Sequence, residues 1–207
     1  MLNSSGFDLW ADDYDKSVNL SEEADSYPFA GYKDVLNRVY CHARAGEAKK
    51  ILDIGFGTGI LSGKLYDDGC LIYGMDFSDR MIELAGKKMK GAKLIRHDFA
   101  EGFPELWDEE RFECILSTYA LHHLDDEQKF AFIKELKRHL KPGGRIVIGD
   151  IAFETAEEME QCRKVSGEEW DEEEKYLTCD AAKKAFPDVE FEKISFCAGV
   201  FVFYGSK

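Results

Sequence analysis

Residues 51–59 read ILDIGFGTG, a short apolar run that leads into three glycines at alternate positions. The apolar residues among the first four have the composition of a buried strand, and apolar positions at helical spacing begin with Ile60 and Leu61. Strand, glycine turn and helix in this order are typical of an open parallel sheet that receives a nucleotide-like ligand. Glycine suits the turn because it tolerates unusual φ and ψ and has no Cβ, so a ligand can lie against the backbone.

The spacing of the glycines indicates which ligand the turn receives. A dinucleotide fingerprint, G-x-G-x-x-G, would require glycine at the position occupied by Ile60. The pattern from Asp53 to Gly59 is instead D-x-G-x-G-x-G, and here the chain resembles the class I S-adenosylmethionine (SAM)-dependent methyltransferases, whose first motif has this form. A chance glycine turn in another α/β protein is the alternative interpretation of this motif taken alone.

Composition narrows the class of protein. The chain has 207 residues, of which 44% are hydrophobic and 13% aromatic; this is enough for one α/β domain with a substantial core. With 41 acidic against 27 basic residues the net charge is −14, which argues against a nucleic-acid partner. The absence of an 18-residue apolar run argues against a membrane span, and no signal peptide is evident. Six cysteines without a C-x-x-C pair favour reduced thiols and a cytoplasmic protein.

The first residues include a stretch that combines aromatic and acidic side chains, FDLWADDYD at 7–15. Many small-molecule methyltransferases carry a similar W-A-x-x-Y-D segment that lies over the SAM site. The resemblance makes Tyr14 a candidate contact for SAM or substrate, and a weak candidate for catalysis. The alternative is that Trp10 and Tyr14, four residues apart, simply hold a short helix against the domain.

Further residues are assigned to the SAM site by their places at strand ends. Asp76 ends the second predicted strand, 17 residues after Gly59 (76 − 59), where such folds bind a ribose diol. By resemblance Asp98 accepts from the adenine amino group and Phe99 flanks the ring. Met81 fits a core position by its spacing, but related proteins place a residue near it against the adenine. The full predicted cofactor set is Asp53, Gly55, Gly57, Gly59, Asp76, Phe77, Met81, Asp98, Phe99, Tyr14 and Thr118.

Residues 118–124, TYALHHL, follow the fourth predicted strand and resemble the fourth motif of small-molecule methyltransferases. They lack the N-P-P-Y and Pro-Cys patterns of enzymes that methylate bases, which again argues against nucleic acid. His122 and His123 are weak candidates for a general base, because methyl transfer mainly requires alignment of nucleophile, methyl and sulfur. Otherwise they shape the loop. We expect no metal site, since no third ligand is recognisable nearby in the sequence.

The second half of the chain predicts a capped helix and three further strands. Asp125 and Gln128 suit a capping box, and LKPGG at 140–144 resembles the turn before strand five in these enzymes. Residues 154–180 are strongly acidic. By resemblance they form a substrate lid, with Trp170 and Tyr176 as lining candidates; a solvated acidic face is the alternative. A short helix and two final β-runs end the chain, as in the class I fold.

Together these features predict an α/β fold, a three-layer Rossmann-like sandwich whose mostly parallel seven-stranded sheet carries a reversed C-terminal strand. We expect a single domain over 1–207, with an N-terminal helical cap at 1–45 and a SAM-binding core at 46–207. The predicted function is SAM-dependent methyl transfer to a small molecule by in-line displacement, which leaves S-adenosylhomocysteine (SAH). A SAM-binding protein without turnover and an aminopropyltransferase are the alternatives. The acceptor and the oligomeric state stay open.

Overall fold

The computed structural model describes residues 26–45 and 48–205, and these alternate strands and helices. The strands are β1 (Lys50–Ile54), β2 (Leu71–Asp76), β3 (Lys93–Arg96), β4 (Phe112–Thr118), β5 (Leu140–Phe153), β6 (Leu177–Thr178), β7 (Glu190–Lys193) and β8 (Ala198–Tyr204). The α-helices are α1 (Tyr32–Arg44), α2 (Ile60–Asp67), α3 (Asp79–Lys88), α4 (Asp126–Arg138), α5 (Ala156–Ser166) and α6 (Cys179–Ala185).

The strands form one sheet in the order β3-β2-β1-β4-β5-β8-β7. Strands β1 to β5 are parallel, whereas β8 runs antiparallel to both β5 and β7. This confirms the predicted mostly parallel sheet with a reversed C-terminal strand. The sheet has eight strands rather than seven because the two residues of β6 pair with Ala152 and Phe153 at the end of β5.

Helices cover both faces of the sheet, which gives the three layers. One core includes side chains of α1, α2 and α3, and the other includes side chains of α4 and α6. Adjacent residues of β1 belong to opposite cores: Ile51 to the first and Leu52 to the second. Burial on both faces of the sheet explains why successive residues of β1 are apolar instead of alternating with polar ones.

The helix starts follow the capping chemistry in the sequence. Ser78 caps α3, its side chain accepting from the backbone N–H of Met81 at 3.2 Å. Asp125 and Gln128 form the predicted capping box, with hydrogen bonds of 2.8 and 3.0 Å. These caps fix where α3 and α4 begin, and so position the loops that follow β2 and β4.

The structure gives more detail for two predicted segments, 140–144 and 154–180. The segment 140–144, predicted as a turn, is already an irregular beginning of β5, because Leu140 pairs with Phe112 before the register shifts. The predicted lid, 154–180, contains α5, a short 3₁₀ turn, β6 and the first residues of α6.

Two further predictions concern residues that lie wholly or partly outside the described chain. Tyr14 lies outside the described residues, and only 26–45 of the predicted N-terminal cap is described. Among residues 26–45 and 48–205, no helix combines the length and apolar composition that crossing a membrane requires.

Candidate active site

A cavity open to solvent lies at the carboxyl ends of β1, β2 and β4; its volume is about 730 Å³ when the solvent space at its mouth is included. This is the edge at which open parallel sheets bind ligands. Several of the predicted cofactor residues line it: Gly55, Gly57, Asp76, Phe77, Met81, Phe99 and, from the end of β4, Thr118. His123 lines it too, from the loop after β4.

The three glycines of the first motif are required for different reasons, although all have positive φ. A Cβ at Gly55 would meet the Ala120 side chain at 2.6 Å, and one at Gly59 would press on Ala85 of α3 at 3.1 Å. A Cβ at Gly57 would meet no described atom within 4 Å. Gly55 and Gly59 therefore allow the protein to pack, whereas Gly57 leaves open backbone facing the cavity.

Asp76 is 4% exposed and holds the glycine loop in place. Its Oδ2 accepts from the backbone N–H of Gly57 and its Oδ1 from that of Ser78, both at 2.9 Å. A carboxylate oxygen can accept more than one hydrogen bond, so these two backbone contacts do not by themselves prevent Asp76 from accepting from a hydroxyl group in the cavity.

Asp53 lies beneath the loop and is 1% exposed. Its Oδ2 accepts from the Ser62 hydroxyl of α2, while its Oδ1 has no hydrogen-bond partner among the described residues. Burial, together with the nearby Asp76 charge, raises the pKa of Asp53 to about 7, and the Ser62 hydrogen bond offsets only part of this.

The predicted adenine residues separate into two groups. Phe77, Met81 and Phe99 line the cavity, and Phe99 is also stacked on Phe132 with ring centroids 6.2 Å apart. Asp98 is exposed, and within the described chain it caps a 3₁₀ turn by accepting from the N–H of Ala100 at 2.9 Å. Its predicted contact with adenine stays a prediction.

Two residues of α1, which no sequence motif singles out, also line the cavity. Tyr32 and Leu36 of α1 line it with Tyr119, which adopts a φ of 49°. The Tyr119 ring packs against that of Tyr32 at 5.1 Å. The helical spacing of α1 predicts a buried face, but does not reveal which of its residues reach a cavity.

The two adjacent histidines have different environments. His123 lines the cavity, whereas His122 is buried and its Nδ1 lies 2.6 Å from Asp150 Oδ1 on β5. Burial, with a contribution from His122, lowers the pKa of His123 to about 4. For His122, burial lowers the pKa, but Asp150 and then Glu174 outweigh it, so the pKa is raised.

Glu174 belongs to the acidic segment after α5, and its Oε1 lies 3.5 Å from His122 Nε2. The Tyr176 hydroxyl donates to Glu174 Oε2 at 2.7 Å, and Tyr176 also hydrogen-bonds to Tyr27. Trp170 is stacked on Tyr27 with centroids 5.3 Å apart. In the described chain, Trp170 and Tyr176 thus join the acidic segment to the residues before α1 and do not belong to the cavity lining.

Comparisons with known proteins agree with this fold and site. The family model described as a methyltransferase domain matches residues 51–144. An uncharacterized methyltransferase of Geobacillus sp. strain WCH70 is 40% identical over 148 residues, 71% of this chain and 66% of that protein. The uncharacterized methyltransferase YrrT of Bacillus subtilis strain 168 is 33% identical over 188 residues, 87% of this chain and 85% of that protein.

A solved structure shares the fold. Magnesium protoporphyrin IX methyltransferase (ChlM) from Synechocystis PCC 6803, with SAH bound, aligns with a TM-score of 0.67 at 18% identity, over 86% of this chain and 85% of that one. The chain therefore belongs to the class I SAM-dependent methyltransferases. It is an enzyme of that class, with SAM as its cofactor.

Proposed function

We propose that this enzyme transfers the methyl group of SAM to a small-molecule acceptor that enters the cavity beside His123. The observation that carries the proposal is the shape of the cavity. It is concave, and its lining includes Gly57 after β1, Thr118 and His123 at and after the end of β4, and Tyr32 and Leu36 of α1. A partly enclosed apolar cavity with a few polar groups suits a small ligand. ChlM, which shares the fold, is by its name a methyltransferase of a small molecule, magnesium protoporphyrin IX.

The residues at the glycine loop fit the amino-acid and ribose parts of SAM. Gly57 offers open backbone, and Asp76 offers carboxylate oxygens to the ribose hydroxyls. Asp53 does not line the cavity, so it would order the loop through Ser62 or reach the amino group of SAM through water from its Oδ1. SAM supplies a sulfonium methyl group that a nucleophile can displace.

The adenine would lie between the apolar side chains of Phe77, Met81 and Phe99. Asp98 immediately precedes Phe99, and its Oδ2 would accept from the adenine amino group while Oδ1 keeps its cap. Their places in the cavity lining support the proposed adenine contacts of Phe77, Met81 and Phe99.

At the acceptor end the protein contributes alignment and exclusion of water. Tyr32 and Tyr119 enclose that end, so an acceptor would be held against the methyl group with little freedom. With a pKa of about 4, His123 is neutral near pH 7, and it lines the cavity. Of the two histidines, His123 is therefore the candidate for direct contact with the acceptor.

The acidic segment at 154–180 is proposed to act as the lid. Glu174 and Tyr176 connect it to the His122 loop and to Tyr27, so it can respond to what the cavity holds. The net charge of −14 also supports a small-molecule acceptor rather than nucleic acid.

Calorimetry followed by turnover tests this proposal. SAM and SAH are expected to bind and NAD is not, and Asp76→Ala should abolish binding. Release of SAH with a panel of small hydroxyl, amine and thiol acceptors then measures transfer. Tight SAM binding with no SAH release from any acceptor would favour a SAM-binding protein without turnover.

A further inference from the structure

We propose that His122, His123 and Glu174 form a binding site for a divalent transition-metal ion at the acceptor end of the cavity. One ligand atom from each residue lies within 4.8 Å of the other two. The histidines are adjacent in the sequence, but Glu174 is brought to them from the acidic segment by the fold. No third ligand is recognisable near the histidines in the sequence, whereas the fold supplies Glu174.

The strongest observation is that His122 Nε2 faces a carboxylate oxygen of Glu174. The Asp150 carboxylate, 2.6 Å from His122 Nδ1, fixes the ring with that nitrogen as the donor. In the neutral ring, Nε2 then carries a lone pair, and it lies 3.5 Å from the carboxylate oxygen of Glu174. Two acceptors at this distance require a positive species between them, either a proton or a metal ion.

The surroundings are those of a supported metal site. A histidine that binds a metal through one ring nitrogen commonly donates a hydrogen bond from the N–H of the other to a carboxylate. His122 Nδ1 and Asp150 have this arrangement. Glu174 is likewise oriented by the Tyr176 hydroxyl at 2.7 Å. The N–H of Lys175 donates to the carbonyl of His122 at 2.8 Å. The segment that carries Glu174 is therefore attached to the histidine loop, residues 119–124 after β4.

The ligand types indicate the kind of ion. Two imidazoles and one carboxylate suit Zn²⁺ and its first-row neighbours, whereas Mg²⁺ and Ca²⁺ prefer oxygen ligands. Three protein ligands with a position left open are typical of a catalytic rather than a structural zinc site. His123 also lines the cavity, so the open position would be on the side of the acceptor.

The role of the ion rests on the proposed function. A thiol or hydroxyl acceptor would bind at the open position and lose its proton to solvent, because a bound cation lowers the pKa of such a group. Its lone pair would then form the new bond to the methyl carbon. The breaking carbon–sulfur bond would return its electron pair to sulfur, which gives SAH.

Cobalt provides a test that does not depend on activity. Untagged protein would be titrated with Co²⁺ and followed by its visible absorption, and then with Zn²⁺ by calorimetry. His123→Ala and Glu174→Gln each remove one ligand, and Glu168→Gln makes the same chemical change at an exposed position of the same segment. Far-UV circular dichroism and the free energy of unfolding of each variant check that the fold is intact.

We expect one Co²⁺ per chain, displaced by Zn²⁺, with affinity reduced more than roughly 10-fold in each ligand variant and unchanged in Glu168→Gln. No Co²⁺ binding by protein that still binds SAM would overturn the site and leave a proton between His122 and Glu174. Equal binding in all variants would place the ion elsewhere and overturn it too. Metal binding without methylation of any acceptor would support the site but contradict the proposed function.

Discussion

The backbone N–H of Gly57 donates to the Asp76 carboxylate across 2.9 Å, which ties the loop after β1 to the end of β2. The other oxygen of Asp76 is held by the N–H of Ser78 at the same distance. The carboxylate is therefore fixed before any ligand arrives, so its remaining acceptor capacity is preorganised.

Replacing Asp76 by Asn should weaken SAM and SAH binding, because the amide has one acceptor oxygen where the carboxylate uses two to hold the backbone N–H groups of Gly57 and Ser78. Hydrogen bonds to a charged group contribute about 1.5–3 kcal/mol, so we expect a loss of roughly 10- to 100-fold in affinity by calorimetry. Asp79→Asn, at the exposed first position of α3, is the matched control and should bind SAM as the parent does. Equal affinities for the two variants would remove Asp76 from the SAM site.

Gly57→Ala should separate ligand contact from backbone strain. Gly57 and Gly69 both have positive φ, 55° and 86°, and a Cβ at either would meet no described atom within 4 Å. Both substitutions should therefore cost about 1–2 kcal/mol of unfolding free energy, measured in urea. Only Gly57→Ala should also lose SAM affinity, because only Gly57 lines the cavity. Loss of affinity in both variants would point to strain alone.

Much of the fold could be predicted because its signals are local. The glycine turn, the capping residues of α3 and α4, and the apolar runs of the parallel strands each depend on neighbouring residues. Asp76 and Phe99 could be located because a parallel sheet places the carboxyl ends of its strands on one edge.

The acceptor end could not be predicted, because it is built from segments that are distant in the sequence. Glu174 meets His122 across 52 residues (174 − 122), and Tyr27 meets Tyr176 across 149. Asp98 shows that a local pattern can also have two explanations. Its position after a strand matches the family pattern for an adenine contact, but its role as the cap of a 3₁₀ turn would also explain an aspartate there.

Asp53 should make stability depend on pH. Burial raises the pKa of its carboxyl from 3.8 to about 7, so the native state keeps a proton that the unfolded state releases between these values. The contribution of Asp53 to the unfolding free energy should fall as pH rises from about 4 to 7 and be level above that. Three pKa units at 1.36 kcal/mol each set an upper bound of about 4 kcal/mol.

Asp53→Asn should remove this dependence, since the amide does not titrate. Urea unfolding at pH 5, 6, 7 and 8 would measure the free energy of unfolding of the variant and of the parent. As pH rises, the parent should lose stability relative to Asp53→Asn. Asp67→Asn, an exposed position in the last turn of α2, is the control and should run parallel to the parent. Parallel curves for Asp53→Asn as well would contradict the raised pKa.

Lys129 should determine how firmly the acidic segment is attached to the core. Its side chain is 2% exposed, and its ammonium donates to the carbonyls of Leu124 at 2.6 Å and Lys175 at 2.5 Å. Lys129→Met would leave both carbonyls without this donor, at a cost of about 1–3 kcal/mol for each buried group left unsatisfied. Lower unfolding free energy should be accompanied by faster amide exchange in residues 175–178.

Lys134→Met provides the comparison, because Lys134 is exposed on the same helix, α4. It should change neither quantity beyond about 0.5 kcal/mol, the usual range for a surface substitution. If both variants behave alike, the buried ammonium does not hold residues 175–178. If only Lys129→Met accelerates exchange there, the segment carrying Glu174 is fixed to the histidine loop through the carbonyl of Lys175.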